Sequence, residues 1–535
     1  MLTPRQTADC IERTDPTALG PREDTMAALA LDIGTSVIKA VVLSDEGEET
    51  AVARATTTVL HPRPGRAEQD MDALWDAVVV AVRAALTQAR SAPRFVSVTA
   101  QGDGCWLVDG QGRPTGPAVL WSDARAADLV EEWRAAGVLD EAFRRTGSLP
   151  FPGLPTAVLG WLARHDPERL ARSATALTCG GWLFLRLTGR PGIDTSDASA
   201  PYLDARTRTP DPDLWPLFGL AAAHRLMPPL RDDGERTAPL TRPAARRLGL
   251  PEGLPVVMAP YDVVCTALGV GAVEPGQACT VLGTTLCTAV VRTEPDTGGE
   301  PRGLTLAHGP DGRVLRAFPT LAGTEVLTWA GRLLGTGAPA RLAELAAQAP
   351  PGAGGIVFLP YLSPAGERAP FLDPYARGTF WGLSLEHGRA DIARAVFEGL
   401  SLVVRDCLTA PGTAAGELRL SGGGAQSELW CRLIADVTGL PVLRAAGTEH
   451  GAKGAFLTGL VATGAEPDLR TAAARYVHPR TTRAPDPAMT AFYSALHDDF
   501  LALRALAAAG GHRLAAARAR TPGDTTLLST GGDRA

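Results

Sequence analysis

The sequence predicts an α/β protein with two domains, and three observations support this prediction. The chain has 535 residues, which is more than one hydrophobic core usually supports. The pattern G-T-[ST]-x-x-x-A-V-V occurs twice, starting at Gly34 and at Gly283, about half a chain apart. Apolar runs of strand length alternate with amphipathic runs of helix length in both halves. A duplicated domain explains the repeat better than a chance similarity between two β-hairpins.

In the first half, strands are predicted at FVSVTAQ, CWLVD and LPVVMAPYD. Between them, the segment MDALWDAVVVAVRAAL has the spacing of an amphipathic helix, with Asp70 as its N-cap. The apolar face of this helix consists of Met71, Leu74, Val78, Val82 and Leu86.

The second half repeats this alternation. Strands are predicted at ACTVLG and LCTAVVR, and helices at TEVLTWAGRLLG, near Arg389–Leu408 and at HGAKGAFLTGLVATG. A last helix carries Met489, Phe492, Leu496, Phe500 and Leu503. We expect an N-terminal domain over 27–268 and a C-terminal domain over 269–508. We expect disorder in the 1–26 extension, where Met26 is an alternative start, and in the 509–535 tail.

Composition excludes several classes of function. The net charge of −6, without a basic run, argues against a nucleic-acid partner. The eight cysteines form no CxxC pair, which favours reduced thiols in the cytoplasm over a disulfide framework or a zinc site. No apolar run is long enough to span a membrane, and the first 25 residues lack the apolar core of a signal peptide.

The first repeated turn combines a carboxylate with glycine, hydroxyl and lysine groups. LALDIGTSVIKAVVL reads as strand, turn and strand, with Asp32 ending the first strand and Gly34, Thr35, Ser36 and Lys39 following. Backbone N–H groups in such turns bind anions, and hydroxyl groups add donors. A carboxylate at the same place suits Mg²⁺ that bridges phosphates, and a lysine would neutralise transferring charge. The alternatives are an ordinary turn and a solvated strand lysine.

Two more glycine turns extend the prediction from a phosphate site to a nucleotide site. The second copy of the repeat supplies the phosphate-binding candidates Gly283, Thr284 and Thr285. LSGGGAQSELW follows a predicted strand and opens a helix, where a nucleotide can approach the helix N-terminus. It is neither a dinucleotide-binding fingerprint nor a Walker loop. With the two phosphate turns, it predicts the adenosine side of an ATP site, formed by Gly423, Gly424 and Ala425.

The acceptor side of the predicted site lies at strand ends in the first half. In APYDVVCTALGVG, Asp262 stands where a strand ends and a helix begins. It is predicted to be a general base that deprotonates an alcohol, the alternative being a helix N-cap. Donors and acceptors for a polyhydroxylated substrate are predicted at Gln101, Asp103, Trp121 and Asp123. For Asp123, an alternative is helix capping and an ion pair with Arg125. Glu398 is left outside the site.

As a set, these motifs resemble the FGGY family of carbohydrate kinases, within the actin-like ATPase superfamily. The resemblance runs from about Leu29 to about Gly464 and also includes AEQDM, WSDARA, FLPYLSPAGERAPF, ARGTFWGLS and AVFEGLSLVVRD. It implies two actin-like, ribonuclease-H-like domains flanking a nucleotide cleft. The implied activity is phosphorylation of a sugar or polyol hydroxyl with Mg²⁺ and ATP. The implied partners are these small molecules, with self-association as a homodimer left open.

The resemblance also implies a role for each matching residue. Asp262 matches the family's catalytic base, and Asp32 its metal-linked aspartate. Thr35, Ser36 and Lys39 match the rest of the first phosphate loop. The second phosphate loop is matched by Gly283 and Thr284, the adenosine loop by Gly423 and Gly424, and the acceptor-binding strand end by Gln101 and Asp103, with Trp121 and Asp123 beside them.

Within the family, the motifs look most like those of erythritol kinases, with L-xylulose kinases next. D-xylulose kinases carry Met-His where this chain has Gly102 and Asp103, which counts against that substrate. One departure from the erythritol kinases is GTEHGAKGAF, which has His450 and Lys453 where they tend to have acidic or small residues. The rival class is an actin-like sugar sensor or chaperone, which would require a DNA-binding segment or a long substrate-binding extension.

Overall fold

Two mixed β-sheets, one in each half of the chain, organise the structure. It is a computed structural model and describes residues 27–231, 234–410 and 414–520. The strands of the first half are β1 Ala27–Ile33, β2 Val37–Ser44, β3 Glu49–Thr56, β4 Glu68–Gln69, β5 Pro93–Ala100, β6 Trp106–Val108, β7 Ala118–Val119, β8 Thr175–Leu177, β9 Ile193–Asp194, β10 Leu230–Arg231, β11 Thr237–Pro239 and β12 Pro255–Met258. Those of the second half are β13 Gln277–Leu282, β14 Leu286–Arg292, β15 Leu304–Ala307, β16 Val314–Pro319, β17 Val357–Leu359, β18 Thr379–Trp381, β19 Glu417–Ser421, β20 Val442–Ala445 and β21 Pro479–Arg483.

Helices cover these sheets and connect their parallel strands. In the first half they are α1 Met71–Gln88, α2 Ala127–Ala135, α3 Val138–Thr146, α4 Pro155–His165, α5 Pro167–Arg172, α6 Cys179–Thr188, α7 Thr195–Ser199, α8 Leu214–Leu217, α9 Arg242–Leu248 and α10 Asp262–Gly269. In the second half they are α11 Thr324–Leu333, α12 Pro339–Ala346, α13 Arg389–Thr409, α14 Glu428–Thr438, α15 His450–Ala462, α16 Leu469–Tyr476 and α17 Pro487–Arg520. Short 3₁₀ turns lie at Ala221–Leu226, Ala353–Gly355 and Gly423–Gln426.

The two main sheets share one topology. The first has the strand order β11-β12-β5-β1-β2-β3, and the second has β15-β16-β14-β13-β19-β20-β21. In each sheet, three neighbouring strands are antiparallel: β1, β2 and β3 in the first, and β13, β14 and β16 in the second. On the other side of β1, strand β5 pairs with it in parallel, and β12 pairs in parallel with β5. Strands β19 and β20 extend the second sheet from β13 in the same way. The prediction of two actin-like α/β domains is therefore confirmed, and the sequence repeat marks the same hairpin in both.

The predicted helix after the first hairpin is confirmed. It is α1, and the Asp70 side chain caps it by accepting the Ala73 N–H at 2.9 Å. Met71, Val78 and the other apolar residues of the predicted face are buried, except that Leu86 is half-buried. This face packs on the first sheet, so the 3.6-residue periodicity identified the core side of the helix.

The C-terminal helix extends further than the sequence predicts. Residues 509–520, which were placed in a disordered tail, continue α17 to Arg520. The physical reason is their content of alanine, leucine and arginine, which are strong helix formers and outweigh the pair Gly510 and Gly511. The predicted N-terminal extension and residues 521–535 lie outside the described residues.

Glu398 anchors this C-terminal helix. It is buried in α13, pairs with Arg394 at 2.7 Å and accepts the hydroxyl of Tyr493, on α17, at 2.7 Å. Its other contact is the backbone N–H of Gly352, at 3.0 Å. These partners, Arg394, Tyr493 and Gly352, are not among the predicted site residues.

The described residues include seven of the eight cysteines. The seven cysteines among these residues are unpaired and buried. Within the same residues, no helix has the length and apolar character required to cross a membrane.

Helices α10 and α15 join the two halves at very short range. A Cβ atom on Gly269 would lie 1.8 Å from the carbonyl oxygen of His450, and one on Gly454 would lie 1.8 Å from that of Cys265. The two pairs of contacts indicate that the helices run in opposite directions. Glycine is required at both positions because the backbones touch where a side chain would begin.

We predict that Gly454→Ala destabilises the protein, whereas Gly510→Ala does not. Overpacking at the crossing should cost about 2 kcal/mol or more. Gly510 lies on the exposed side of α17 with open space around it, so alanine there should be neutral or stabilise by up to about 1 kcal/mol. Unfolding by denaturant, followed by circular dichroism, measures both. Equal effects of the two substitutions would contradict the proposed tight crossing.

Candidate active site

The first repeated turn holds a lysine between two carboxylates. Lys39 on β2 pairs across the hairpin with Asp32 on β1. Its Nζ lies 3.1 Å from Asp32 Oδ2 and 3.1 Å from Oε2 of Glu449, which belongs to the second half and also pairs with Arg54. Burial alone would lower the pKa of Lys39, but the two carboxylates outweigh burial and hold this pKa above its ordinary value. Lys39 is therefore a charged link between the halves.

The Thr35 hydroxyl connects this turn with the predicted acceptor residues. It donates to Gln101 Oε1 at 2.6 Å and accepts from Trp121 Nε1 at 3.0 Å. The amide of Gln101 in turn donates to Gln69 Oε1 at 3.0 Å. The side chain of Ser36 is exposed. Thr35 thus positions Gln101 and Trp121, while Ser36 presents its hydroxyl to solvent.

The second repeated turn packs against the start of α11. The carbonyl of Gly283 accepts the N–H of Thr324 at 2.9 Å. Thr284 is exposed and Thr285 is partly buried. The turn therefore has a fixed backbone and one exposed hydroxyl, as the first turn has.

The third glycine loop lies beside the second turn. The second turn follows the carboxyl end of β13, and the loop follows that of β19. Because these strands are parallel neighbours, their carboxyl ends lie at the same edge of the sheet. A Cβ on Gly424 would lie 2.5 Å from the Trp430 ring, and the carbonyl of the buried Ala425 accepts from Arg444 Nη1 at 3.0 Å. At Gly423, by contrast, a Cβ would meet no atom within 4 Å beyond its chain neighbours. A ligand could approach the backbone there without obstruction.

A chain of contacts connects this loop to the first turn. Ser421, which ends β19, shares a hydrogen bond of 2.9 Å with Nδ1 of His450. His450 begins α15 directly after Glu449, the residue paired with Lys39. Since Lys39 also contacts Asp32, the glycine loop of the second half and the turn of the first half face one region.

Asp262 is a partly exposed carboxyl group at the first position of α10. Its pKa is raised to about 8, first because of burial among protein groups and then because of the negative charges of Asp32 and Asp103. The N–H of Val263 and the charge of Lys39 act in the opposite direction. Below pH 8 the carboxyl group of Asp262 is therefore mostly protonated in the absence of ligands. It can accept a proton from a hydroxyl group once its own proton is lost, which positive charge brought to the site would favour.

Asp103 lies in the same acidic region. Its backbone is left-handed, with φ of 55°, which is uncommon for a residue other than glycine. Burial raises its pKa to about 6, against the effects of the Arg368 guanidinium and of the Tyr261 hydroxyl, which donates to Asp103 Oδ2 at 3.1 Å. At neutral pH, Asp103 is therefore mostly an anion that can accept hydrogen bonds.

Arg368 brings a cation from the second half to the acceptor residues. Its guanidinium lies 5.2 Å from the centre of the Trp121 ring and 5.0 Å from that of Phe151. Its Nε donates to the carbonyl of Pro319 at 2.9 Å. Both rings belong to the first half, so this cation–π cluster spans the two domains.

The contacts of Asp123 include the ion pair of the alternative interpretation but no cap of α2, whose N-cap residue is Ala126 and has no side-chain hydrogen bond. Asp123 is buried, and its oxygens accept from the N–H of Ala67 at 2.7 Å and from the N–H and guanidinium of Arg125 at 2.8–2.9 Å. Arg125 also pairs with Glu68 at 2.6 Å. This network fixes the loop that carries Trp121.

Four residues at the site were not singled out by the sequence. Tyr261 and Arg368 lie in segments that carry the family resemblance, and Glu449 lies in the departing segment GTEHGAKGAF; none of these side chains was assigned a role. Asp197, in DTSDASA, accepts the Thr178 hydroxyl at 3.0 Å, and its other oxygen has no partner among the described residues. Burial and neighbouring carboxylates raise its pKa well above the usual range. The sequence feature that could have identified Asp197 is the presence of two aspartates in the short segment DTSDASA.

Comparison with known proteins assigns the class. Residues 27–269 match the N-terminal domain of the FGGY family of carbohydrate kinases, and residues 278–463 match its C-terminal domain. The chain therefore belongs to the FGGY family of carbohydrate kinases and is an enzyme that phosphorylates a carbohydrate. Kinases of this family use ATP.

Particular relatives cover nearly the whole chain. The erythritol kinase of Brucella abortus (strain 2308) is 34% identical over 89% of this chain and 95% of its own. The L-xylulose/3-keto-L-gulonate kinase of Escherichia coli (strain K12) is 31% identical over 86% and 92%. The crystal structure of a xylulose kinase from Rhodospirillum rubrum matches with a TM-score of 0.81, 31% identity and coverage of 91% and 100%. Plasmodium falciparum glycerol kinase with ADP shares the fold, with a TM-score of 0.79, 16% identity and coverage of 90% and 98%.

The raised pKa of Asp262 predicts how stability depends on pH. Between the unfolded pKa near 4 and the folded pKa of about 8, the folded state holds a proton that the unfolded state has lost, so stability falls as pH rises. One proton accounts for at most about 1.4 kcal/mol per pH unit. Asparagine does not titrate, so it lacks this pH-dependent loss. The free energy of unfolding of Asp262→Asn should therefore increase relative to that of the wild type as the pH rises from 5 to 8.5.

Thermal unfolding in EDTA, compared at several pH values, tests this expectation. Asp128→Asn, at an exposed position on α2, is the control and should follow the wild type at every pH. A constant difference between Asp262→Asn and the wild type across this range would show that the pKa of Asp262 is not raised.

Proposed function

We propose that the protein transfers the γ-phosphoryl group of ATP to a hydroxyl of a small neutral polyol, with erythritol as the best candidate. The observation that carries the proposal is the position of Asp262, a partly exposed carboxyl group at the first position of α10 that interacts with the nearby charges of Asp103 and Asp32. Its position at the start of α10 lets it receive the proton of an acceptor hydroxyl, as a general base does.

The residues around the turns fit a magnesium-bound nucleotide. Asp32 supplies the hard oxygen ligand that Mg²⁺ prefers, and Lys39 the positive charge that phosphoryl transfer requires. Magnesium and ATP, when bound, would supply charge neutralisation and the transferring group. Glu449 holds Lys39 at the turn by an ion pair, and Arg54 pairs with the same carboxylate group.

Backbone groups complete the proposed nucleotide site. Gly34 and Gly283 lie in turns whose N–H groups would bind phosphate oxygens, with Ser36 and Thr284 as exposed hydroxyl donors. The open face of Gly423 is the proposed adenosine contact, with Gly424 and Ala425 shaping the loop behind it.

The charges of the acceptor side favour a neutral substrate. Asp103, Asp197 and Asp262 provide carboxyl oxygens, and Gln101 and Trp121 add an amide and an indole N–H. Such groups bind hydroxyls well, whereas a carboxylate on the substrate would be repelled by Asp103, which is mostly an anion at neutral pH. Erythritol is neutral, and the 34% identity to an erythritol kinase supports it. An L-xylulose or other pentulose kinase is the alternative, supported by 31% identity to such an enzyme.

Asp262→Asn should lower kcat by a factor of about 10²–10⁴, because the amide cannot accept the proton. Binding should persist, since the substitution keeps the shape of the side chain. A coupled assay of ADP formation measures turnover, and a thermal shift with ADP measures nucleotide binding. Asp128→Asn controls for the loss of one negative charge. Near-normal turnover in Asp262→Asn would remove this residue from the role of base.

A substrate panel tests the choice of acceptor. Erythritol should give the highest kcat/KM among erythritol, threitol, glycerol, L-xylulose, D-xylulose, L-ribulose and gluconate, and gluconate one of the lowest, because its carboxylate meets the acidic side chains. The same coupled assay applies. A higher kcat/KM with a pentulose would replace erythritol by the alternative.

A further inference from the structure

Tyr261 occupies space at the acceptor site that a side chain at position 102 would otherwise fill. A Cβ on Gly102 would lie only 2.2 Å from Cε2 of the Tyr261 ring and 2.4 Å from its Cδ2. Cβ atoms essentially never come this close to ring carbons. Gly102 therefore has no side chain because the ring lies directly against its backbone, between the strand end that carries Asp103 and the helix that begins with Asp262.

The ring is held in this position from two directions. Its hydroxyl donates to Asp103 Oδ2 at 3.1 Å, and its backbone N–H donates to the Ser196 hydroxyl oxygen at 2.9 Å. Ser196 is itself hydrogen-bonded to the buried carboxylate of Asp194. Packing and the hydroxyl hydrogen bond fix the ring, and the Ser196 hydrogen bond fixes the backbone that carries it. A side chain fixed in this way resists displacement by a ligand.

The ring also lies near the two carboxyl groups that the proposed function assigns to the acceptor. Tyr261 is partly exposed and directly precedes Asp262. It also contacts Asp103, which interacts with Arg368, the cation packed on Trp121. An acceptor whose hydroxyl reaches Asp262 must therefore fit beside the phenol ring.

We propose that Tyr261 determines acceptor size, shortening the site so that four-carbon polyols fit and five-carbon ketoses are disfavoured. This inference rests on the proposed function. A fixed wall discriminates against a longer substrate by steric exclusion, which gives stronger selection than the loss of one favourable contact. The phenol hydroxyl has a separate role, namely to orient the carboxylate of Asp103 toward the substrate.

The test compares Tyr261→Ala with Tyr261→Phe. The specificity ratio is kcat/KM for erythritol divided by kcat/KM for L-xylulose. Tyr261→Phe keeps the ring, so this ratio should stay within about threefold of the wild type while KM for both substrates rises. Tyr261→Ala removes the wall, so the ratio should fall at least tenfold and kcat/KM for L-xylulose should rise above that of the wild type.

Two further variants keep the test decisive. Tyr261→Leu retains apolar packing with a shorter side chain and should give an intermediate ratio, and it takes the place of the alanine variant if that variant does not fold. Gly102→Ala should impair the wild type because it displaces the ring, yet Gly102→Ala should be tolerated in the Tyr261→Ala background. Thermal unfolding and ADP binding verify that each variant is folded.

The outcomes separate this inference from the proposed function. If the wild type prefers L-xylulose, the proposed substrate is wrong and the inference is overturned with it. If the wild type prefers erythritol but Tyr261→Ala and Tyr261→Leu keep its specificity ratio, the inference alone is wrong. Additive effects of Gly102→Ala and Tyr261→Ala would also overturn it, because residues in contact should show coupled effects.

Discussion

The active site depends on the crossing of α10 and α15 at a distance that excludes any side chain between them. Gly269 and Gly454 bring the two backbones into contact, and each helix comes from a different half of the chain. The first residue of α10 is Asp262. In the first turn of α15, a Cβ on Gly451 would lie 2.9 Å from Asp32 Oδ2. Packing alone therefore gathers acidic groups from distant parts of the sequence into one region.

Acidic groups that lie close together repel one another when charged, and cations from both halves of the chain offset part of this repulsion. Asp32 and Asp103 both raise the pKa of Asp262, as like charges must. Lys39 offsets part of this repulsion from the first half, and Arg368 does so from the second. The remaining excess of negative charge suits a substrate complex that brings its own cation.

The sequence predicted the architecture well because the evidence for it is local and repeated. Strand and helix periodicity, the Asp70 cap and the duplicated turn are all readable from neighbouring residues. Contacts between halves are not, so Glu449 and Arg368, which reach Lys39 and Trp121 across the domain boundary, were missed. For Asp123, the sequence left substrate binding, helix capping and an ion pair open, and its ion pair with Arg125 became visible only in three dimensions.

The two copies of the repeat have the same backbone plan but different charges, which explains why one fold can perform an asymmetric reaction. In the first copy, Asp32 faces Lys39 across the hairpin. In the second, the uncharged residues Val281 and Thr288 take the sequence positions of Asp32 and Lys39. They do not face each other, because the second hairpin turn is one residue shorter and Val281 pairs with Cys287. Phosphate binding through backbone N–H groups needs only the shared turn. The proposed metal binding and charge neutralisation need ionic side chains, which the turn in the same half as Asp262 supplies.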